Sequence, residues 1–283
     1  MKIKDLRLLL WGVAMTLGIS PAVDAADGKL IATAGLIQVE GSGGGGIVPW
    51  ATLAGYDTQE QTSASAGVTQ VNLRDYRLTT YAAAVSFYDR IEVGVAQQRF
   101  DLKSLGGEIK QDIFSAKYRV YGDVIYTSLP QISVGVQHKR LKDEAIANLL
   151  GASDITGTDF FVAATKVHLG AIAGYNAIWN VTVRATKANE MGLLGFGGAV
   201  NDDYELMLEA SVGMLLSRNI AVGMEYRTKP DNLGLGESHW RDYFISYIPT
   251  KQFNVTLAWA DLGKIAGAPE QRGLYVSLSG QLW

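Results

Sequence analysis

Apolar and polar residues alternate along fourteen stretches of this chain, and the connections between them are by turns tight and long. An alternation with period two places successive side chains on opposite faces of an extended strand. Trp179, Val181, Val183 and Ala185 oppose Asn180, Thr182, Arg184 and Thr186 in this way. Leu206, Leu208, Ala210 and Val212 oppose Glu205, Met207, Glu209 and Ser211, and Leu274, Val276, Leu278 and Leu282 oppose Tyr275, Ser277, Ser279 and Gln281. The expected strands are 29–39, 50–57, 62–72, 77–88, 91–101, 112–121, 131–141, 158–168, 178–188, 204–215, 220–229, 240–248, 253–262 and 273–283.

Tight connections fall at 57–60, 89–90, 217–219 and 249–252. Long ones fall at 40–49, 102–111, 142–157, 189–203, 230–239 and 263–272. The link 73–76 is short where a long one is due, and 122–130 and 169–177 are longer than their side requires. A sandwich has no reason to sort its connections by parity. An outer-membrane barrel does, with turns at one rim and loops at the other. The expected fold is all-β, a transmembrane antiparallel up-and-down β-barrel of about fourteen strands, or twelve, since 50–57 and 240–248 are short. The first strand follows so closely on the leader that no room is expected for an N-terminal plug. Any constriction should then come from a loop or from lumen side chains.

Composition agrees. Hydrophobic residues make up 48% of the chain, yet beyond the leader no apolar run reaches the ~18 residues of a spanning helix. There are 32 glycines and no cysteine, so the fold rests on no disulfide and carries no lipoprotein anchor. A basic start at 1–7, an apolar run at 8–19 and a small-residue end imply a signal peptide, 1–25, cut after Ala25, with 26–283 forming one barrel domain. The formal net charge of −3 is no nucleic-acid footprint. The expected location is the outer membrane. The expected partners are its lipid and, during insertion, the barrel-assembly machinery, with a monomer or small homo-oligomer as the product. Trp50, Tyr56, Tyr88, Phe100, Trp179, Tyr204, Tyr226, Trp240 and Trp259 lie near strand ends, where membrane barrels carry aromatic girdles.

Residues 41–46 formally contain GxGxxG, but Pro49 and a strand follow where a phosphate-binding helix is needed, so a flexible loop is expected. His138, His168 and His239 sit on different strands without metal-ligand spacing, and no GxSxG elbow is present, so no catalytic, cofactor or metal site is assigned. The polar faces carry charges that point into a lumen: Lys117, Arg119, Lys139, Lys166 and Arg184, then Glu205, Glu209, Glu225 and Arg227. They either line a water-filled pore, basic on one wall and acidic on the next, or pair across strands and brace a filled lumen. Helix formers at 142–151 end on Gly151, with Ile146, Leu149 and Leu150 on one face. The loop start at 229–234 is built of turn residues.

The segments Arg184-Ala185-Thr186-Lys187-Ala188-Asn189, Gly192-Leu193-Leu194-Gly195-Phe196-Gly197-Gly198 and Glu225-Tyr226-Arg227-Thr228-Lys229-Pro230-Asp231-Asn232-Leu233-Gly234 resemble a family of exported Gram-negative proteins filed as a domain of unknown function. So do Pro249-Thr250-Lys251 and Ala260-Asp261-Leu262-Gly263. The resemblance implies an outer-membrane barrel and names no substrate. The last strand also resembles the signal read by the barrel-assembly machinery, with Tyr275 and Trp283 as its aromatic positions. Its apolar set is shifted by one residue from that pattern. The leading expectation is a passive pore for small polar solutes. The alternative is a structural or binding barrel with a blocked lumen that acts through its outer loops. An outer-membrane enzyme comes last.

Overall fold

The computed structural model describes residues 29–103 and 105–283, so the expected signal peptide lies outside the described residues. Two short strands come first, β1 (Leu36–Ile37) and β2 (Gly43–Gly44). Then follow β3 (Thr62–Asn72), β4 (Arg77–Phe87), β5 (Ile91–Asp101), β6 (Glu108–Tyr121), β7 (Gln131–Leu141) and β8 (Thr156–Ile172). The rest are β9 (Tyr175–Thr186), β10 (Glu205–Ser217), β11 (Ile220–Arg227), β12 (Trp240–Thr250), β13 (Phe253–Asp261) and β14 (Arg272–Leu282). Each of β3 to β14 pairs antiparallel with the next, and β14 returns to β3 with Leu278 opposite Val68, closing a barrel.

The two rows of each strand go where period two sends them, but inverted relative to a water-soluble protein. Buried rows are small and polar: Ser63, Ser65 and Thr69 on β3, Asn180 and Thr182 on β9, Ser277 and Ser279 on β14. Exposed rows are apolar: Val93 and Val95 on β5, Val181 and Val183 on β9, Leu206, Leu208 and Val212 on β10. Exposed apolar area costs about 25 cal/mol per Å² in water. Against lipid it costs nothing, which is the pattern of a transmembrane barrel.

The barrel has twelve strands, the smaller of the two expected counts. Stretches 29–39 and 50–57 are not wall strands, and the expectation that no plug fits is overturned. Residues 33–57 turn into the lumen, where Ile37, Val39, Ile47, Val48, Ala51 and Leu53 are almost wholly buried. About eight strands make a barrel that wall side chains just fill. A ring of twelve is wider, and lined by serine and threonine it leaves space that a chain segment occupies. Gly41 to Gly46, expected as a flexible loop, form the buried centre of this inner segment.

Tight links gather at one rim: 88–90, 173–174, 218–219 and 251–252, with 122–130 the long exception. The expected connection 169–177 shrinks because β8 and β9 run on to Ile172 and Tyr175. Links 102–107, 142–155, 187–204, 228–239 and 262–271 crowd the other rim, together with the short 73–76. There, helix α1 (Ala145–Leu150), closed by Gly151 at φ 84°, packs Ala147 inward and leaves Leu149 exposed. Ala147 joins Met191, Leu193, Leu194, Trp240, Leu262 and Ile265 in an apolar cluster that also holds Val39, Ile47 and Val48 of the inner segment. The loops therefore cap the lumen. Of the expected girdle, Tyr88, Tyr204, Tyr226 and Trp259 are exposed. Tyr56, Phe100 and Trp240 are buried, because they share the inward faces or the inner segment.

Candidate functional site

A chain segment lodged in a lumen with only a two-residue strand pair of its own carries further buried N–H and C=O groups that must find partners. The wall supplies them. The Glu92 carboxylate accepts from Ser42 Oγ at 2.9 Å, Gly43 N at 2.9 Å and Ala54 N at 2.6 Å. Beside it, Lys117 donates to the carbonyls of Gly43 at 2.6 Å and Thr52 at 2.9 Å. Glu225 accepts from Gly46 N and Ile47 N at 2.7 Å each and from Ser211 Oγ at 2.7 Å. Thr165 accepts from Ala51 N, Gln131 and Ser133 donate to the Ala51 carbonyl, and Thr182 donates to that of Pro49. The approach is close enough that a Cβ on Gly45 would push the Glu225 carboxylate aside.

A second layer, nearer the loop rim, is ionic. Glu40 of the inner segment receives Lys139 Nζ at 2.5 Å, Arg227 Nη1 at 2.6 Å and Arg184 Nη2 at 3.2 Å. Lys139 also meets Asp159 at 2.6 Å, Arg184 meets Glu209 at 2.6 Å, and Arg227 meets Glu209 at 3.3 Å. All six side chains are buried. Such a network costs desolvation, and losing one member leaves a buried charge without its counterpart.

The structure thus brings Lys117, Lys139, Arg184, Glu209, Glu225 and Arg227 onto the inner face. Three expected lumen charges stand apart from these six. Arg119 shares that face but stands at the turn rim, bound to Asp89, Asp123 and the Gly122 carbonyl. Lys166 follows Thr165, which faces the lumen, so it points outward. The link 122–130 covers it, and it donates to the carbonyls of Asp123, Ile125 and Thr127. Glu205 stands at the loop rim and accepts from Asn201 at 2.8 Å. Glu225 does not pair with its neighbour Arg227, being taken by the inner segment. Tyr275 is buried on the inward face, and the Trp283 ring lies 5.6 Å from that of Tyr56.

Glu92, Asp159 and Asp242 also face inward. They sit on polar faces of stretches already read as strands, so parity alone would have found them. Glu40 gave no such signal, because nothing in its neighbourhood distinguishes a buried glycine-rich turn from an exposed one.

At the loop rim, Lys229 binds Glu190, Glu237 at 2.9 Å and the Lys264 carbonyl at 3.0 Å. It thereby ties three long loops together. Glu190 and Met191 have φ of 47° and 62°, strained values for residues with a side chain. Burial pushes the Glu190 carboxyl well above the usual glutamate value. Lys229 opposes this and Glu237 adds to it. In the next turn Asp231 accepts from Leu235 N and Gly236 N, the turn role expected of 229–234.

Among solved structures, KdgM porin matches with a TM-score of 0.50 at 9% identity, over 77% of this chain and 99% of that one. The outer membrane protein Omp33 of Acinetobacter baumannii gives 0.49 at 8% identity, over 80% and 100%. LpxR from Salmonella typhimurium gives 0.46 at 11% identity, over 78% and 99%. At these identities the KdgM likeness concerns the fold, that of outer-membrane barrels. No curated protein matches the sequence. Residues 33–279, from the inner segment into the last strand, match the family described as "Protein of unknown function (DUF3034)", and the chain belongs to that family.

Proposed function

We propose that the protein is an outer-membrane channel for small polar solutes, held closed by its own residues 33–57. The observation that carries this reading is the chemistry of the inner wall. Ser63, Ser65, Thr69, Ser133, Thr182 and Ser277 are side chains of a hydrated pore rather than of a packed core, and Ser63, Ser133 and Thr182 bond the separate inner segment through Asp57, the Ala51 carbonyl and the Pro49 carbonyl. Displacing that segment uncovers a polar conduit, with Lys117, Lys139, Arg184, Glu209, Glu225 and Arg227 lining it and Arg119 at its turn-side mouth. Export by the leader at 1–25 and insertion through the last strand, with Tyr275 and Trp283 as its signal, belong to the same reading.

A second reading, a closed barrel acting through its loops, is favoured by the apolar cap that Met191, Leu193, Leu194 and Trp240 build over the inner segment. Planar-bilayer recording separates the two. The intact protein should show rare openings, and a variant lacking 33–57 should conduct steadily, because the cap loses Val39, Ile47 and Val48 as packing partners. Gel mobility with and without boiling checks that the variant is folded. A folded variant that stays silent decides for the closed barrel.

A further inference from the structure

We propose that the barrel wall carries a carboxylate-binding site, built by Lys139, Arg184 and Arg227 and occupied by the protein's own Glu40. Its ligand class is the small monocarboxylate. On the channel reading this is the place where such a solute is held once the inner segment withdraws, and that extension alone rests on the reading.

The argument is one of charge and geometry. Lys139 on β7, Arg184 on β9 and Arg227 on β11 are three cations of the wall, and the acids of the wall that bind them are two, Asp159 on β8 and Glu209 on β10. These five wall groups, taken by themselves, are therefore one negative charge short. Glu40 supplies that charge from a different part of the chain. Each of its oxygens accepts twice: Oε1 from Lys139 at 2.5 Å and Arg227 Nη2 at 3.2 Å, Oε2 from Arg227 Nη1 at 2.6 Å and Arg184 Nη2 at 3.2 Å. Guanidinium groups suit the flat two-oxygen geometry of a carboxylate. A neutral solute would leave a buried cation uncompensated, and a dianion would overshoot. Glu40 thus stands in for a ligand rather than serving as a member of the wall.

Chemical rescue tests this on the full chain. Glu40→Ala removes the carboxylate and leaves its space. In detergent, formate or acetate should raise the unfolding temperature of E40A saturably, while chloride at equal ionic strength should not. The rise should be absent from intact protein and from E40A carrying Lys139→Met. If E40A does not fold in chloride, folding yield becomes the readout, and recovery in formate supports the site. Equal effects of formate and chloride, or rescue that ignores Lys139, overturn it. None of these readouts needs the channel to open, so a silent bilayer and a failed rescue are separate results.

Discussion

Glu225 on β11 and Asp242 on β12 stand directly opposite each other across a strand pair, both inside the barrel, with no salt bridge to either among the described residues. Asp242 Oδ1 has no hydrogen-bond partner, while Glu225 holds the Gly46 and Ile47 amides. Directly opposed like charges destabilise a sheet. Asp242→Asn is therefore expected to raise stability by up to about 1 kcal/mol. Glu225→Gln removes a charged acceptor from two buried amides and is expected to cost about 2 kcal/mol. Urea unfolding in micelles reads both. A loss of stability in Asp242→Asn would show instead that Asp242 is needed in its charged form.

Gly44 is a matter of space rather than backbone freedom. A Cβ there would strike the Val48 carbonyl oxygen, and Pro49 Cα lies 2.9 Å away. Gly44→Ala should loosen the inner segment by about 1–3 kcal/mol and leave the wall intact. Limited proteolysis should cut near residues 41–50 in the variant and not in the parent, with gel heat-modifiability unchanged in both. A variant as resistant as its parent shows that the segment can shift without opening.

The loop-rim cluster makes stability depend on pH with a definite sign. The folded-state pKa of Glu190 lies above its unfolded value, so the fold favours the protonated form. Its contribution is greatest at low pH and is lost as pH rises from the ordinary glutamate value through the raised one. As pH rises above the ordinary glutamate range the parent should lose thermal stability, and Glu190→Gln, fixed in the neutral form, should lose less. Parallel profiles for the two proteins would sink this account of the loop.

Val183 on β9 is 43% exposed between two inward neighbours, Thr182 and Arg184. If lipid lies outside, Val183→Arg costs about 2–4 kcal/mol near mid-membrane. Folding yield into vesicles measures this, and an unchanged yield would put water rather than lipid against that face.

How much of this could be read from the chain follows from what parity encodes. Alternation in Trp179 to Thr186 fixed which face of β9 is which, and the sorting of links located the two rims. Lys166 shows the limit. Strict alternation from Asp159 through Thr165 sends it to the outward face, against its polar character, and a long turn-side link then covers the charge. The inner segment was opaque for a different reason. Residues 29–39 and 50–57 also alternate, but the partners of the inner segment are wall side chains far along the chain, Glu225 lying 175 positions from Trp50 and Arg227 lying 187 from Glu40. Local pattern carries no record of a contact at that distance. Glu92, Asp159 and Asp242 were within reach of period two.

The wall groups that satisfy residues 33–57 all come later in the chain, from Ser63 on β3 to Arg227 on β11. What is made first is therefore satisfied last. Until those strands have curled together, the amides that Glu92 and Glu225 hold, and the Glu40 charge, have only water. The staves of this cask must rise around a stopper already hydrated beside them, and the seam between β3 and β14 can be tight only once that water has been exchanged for protein.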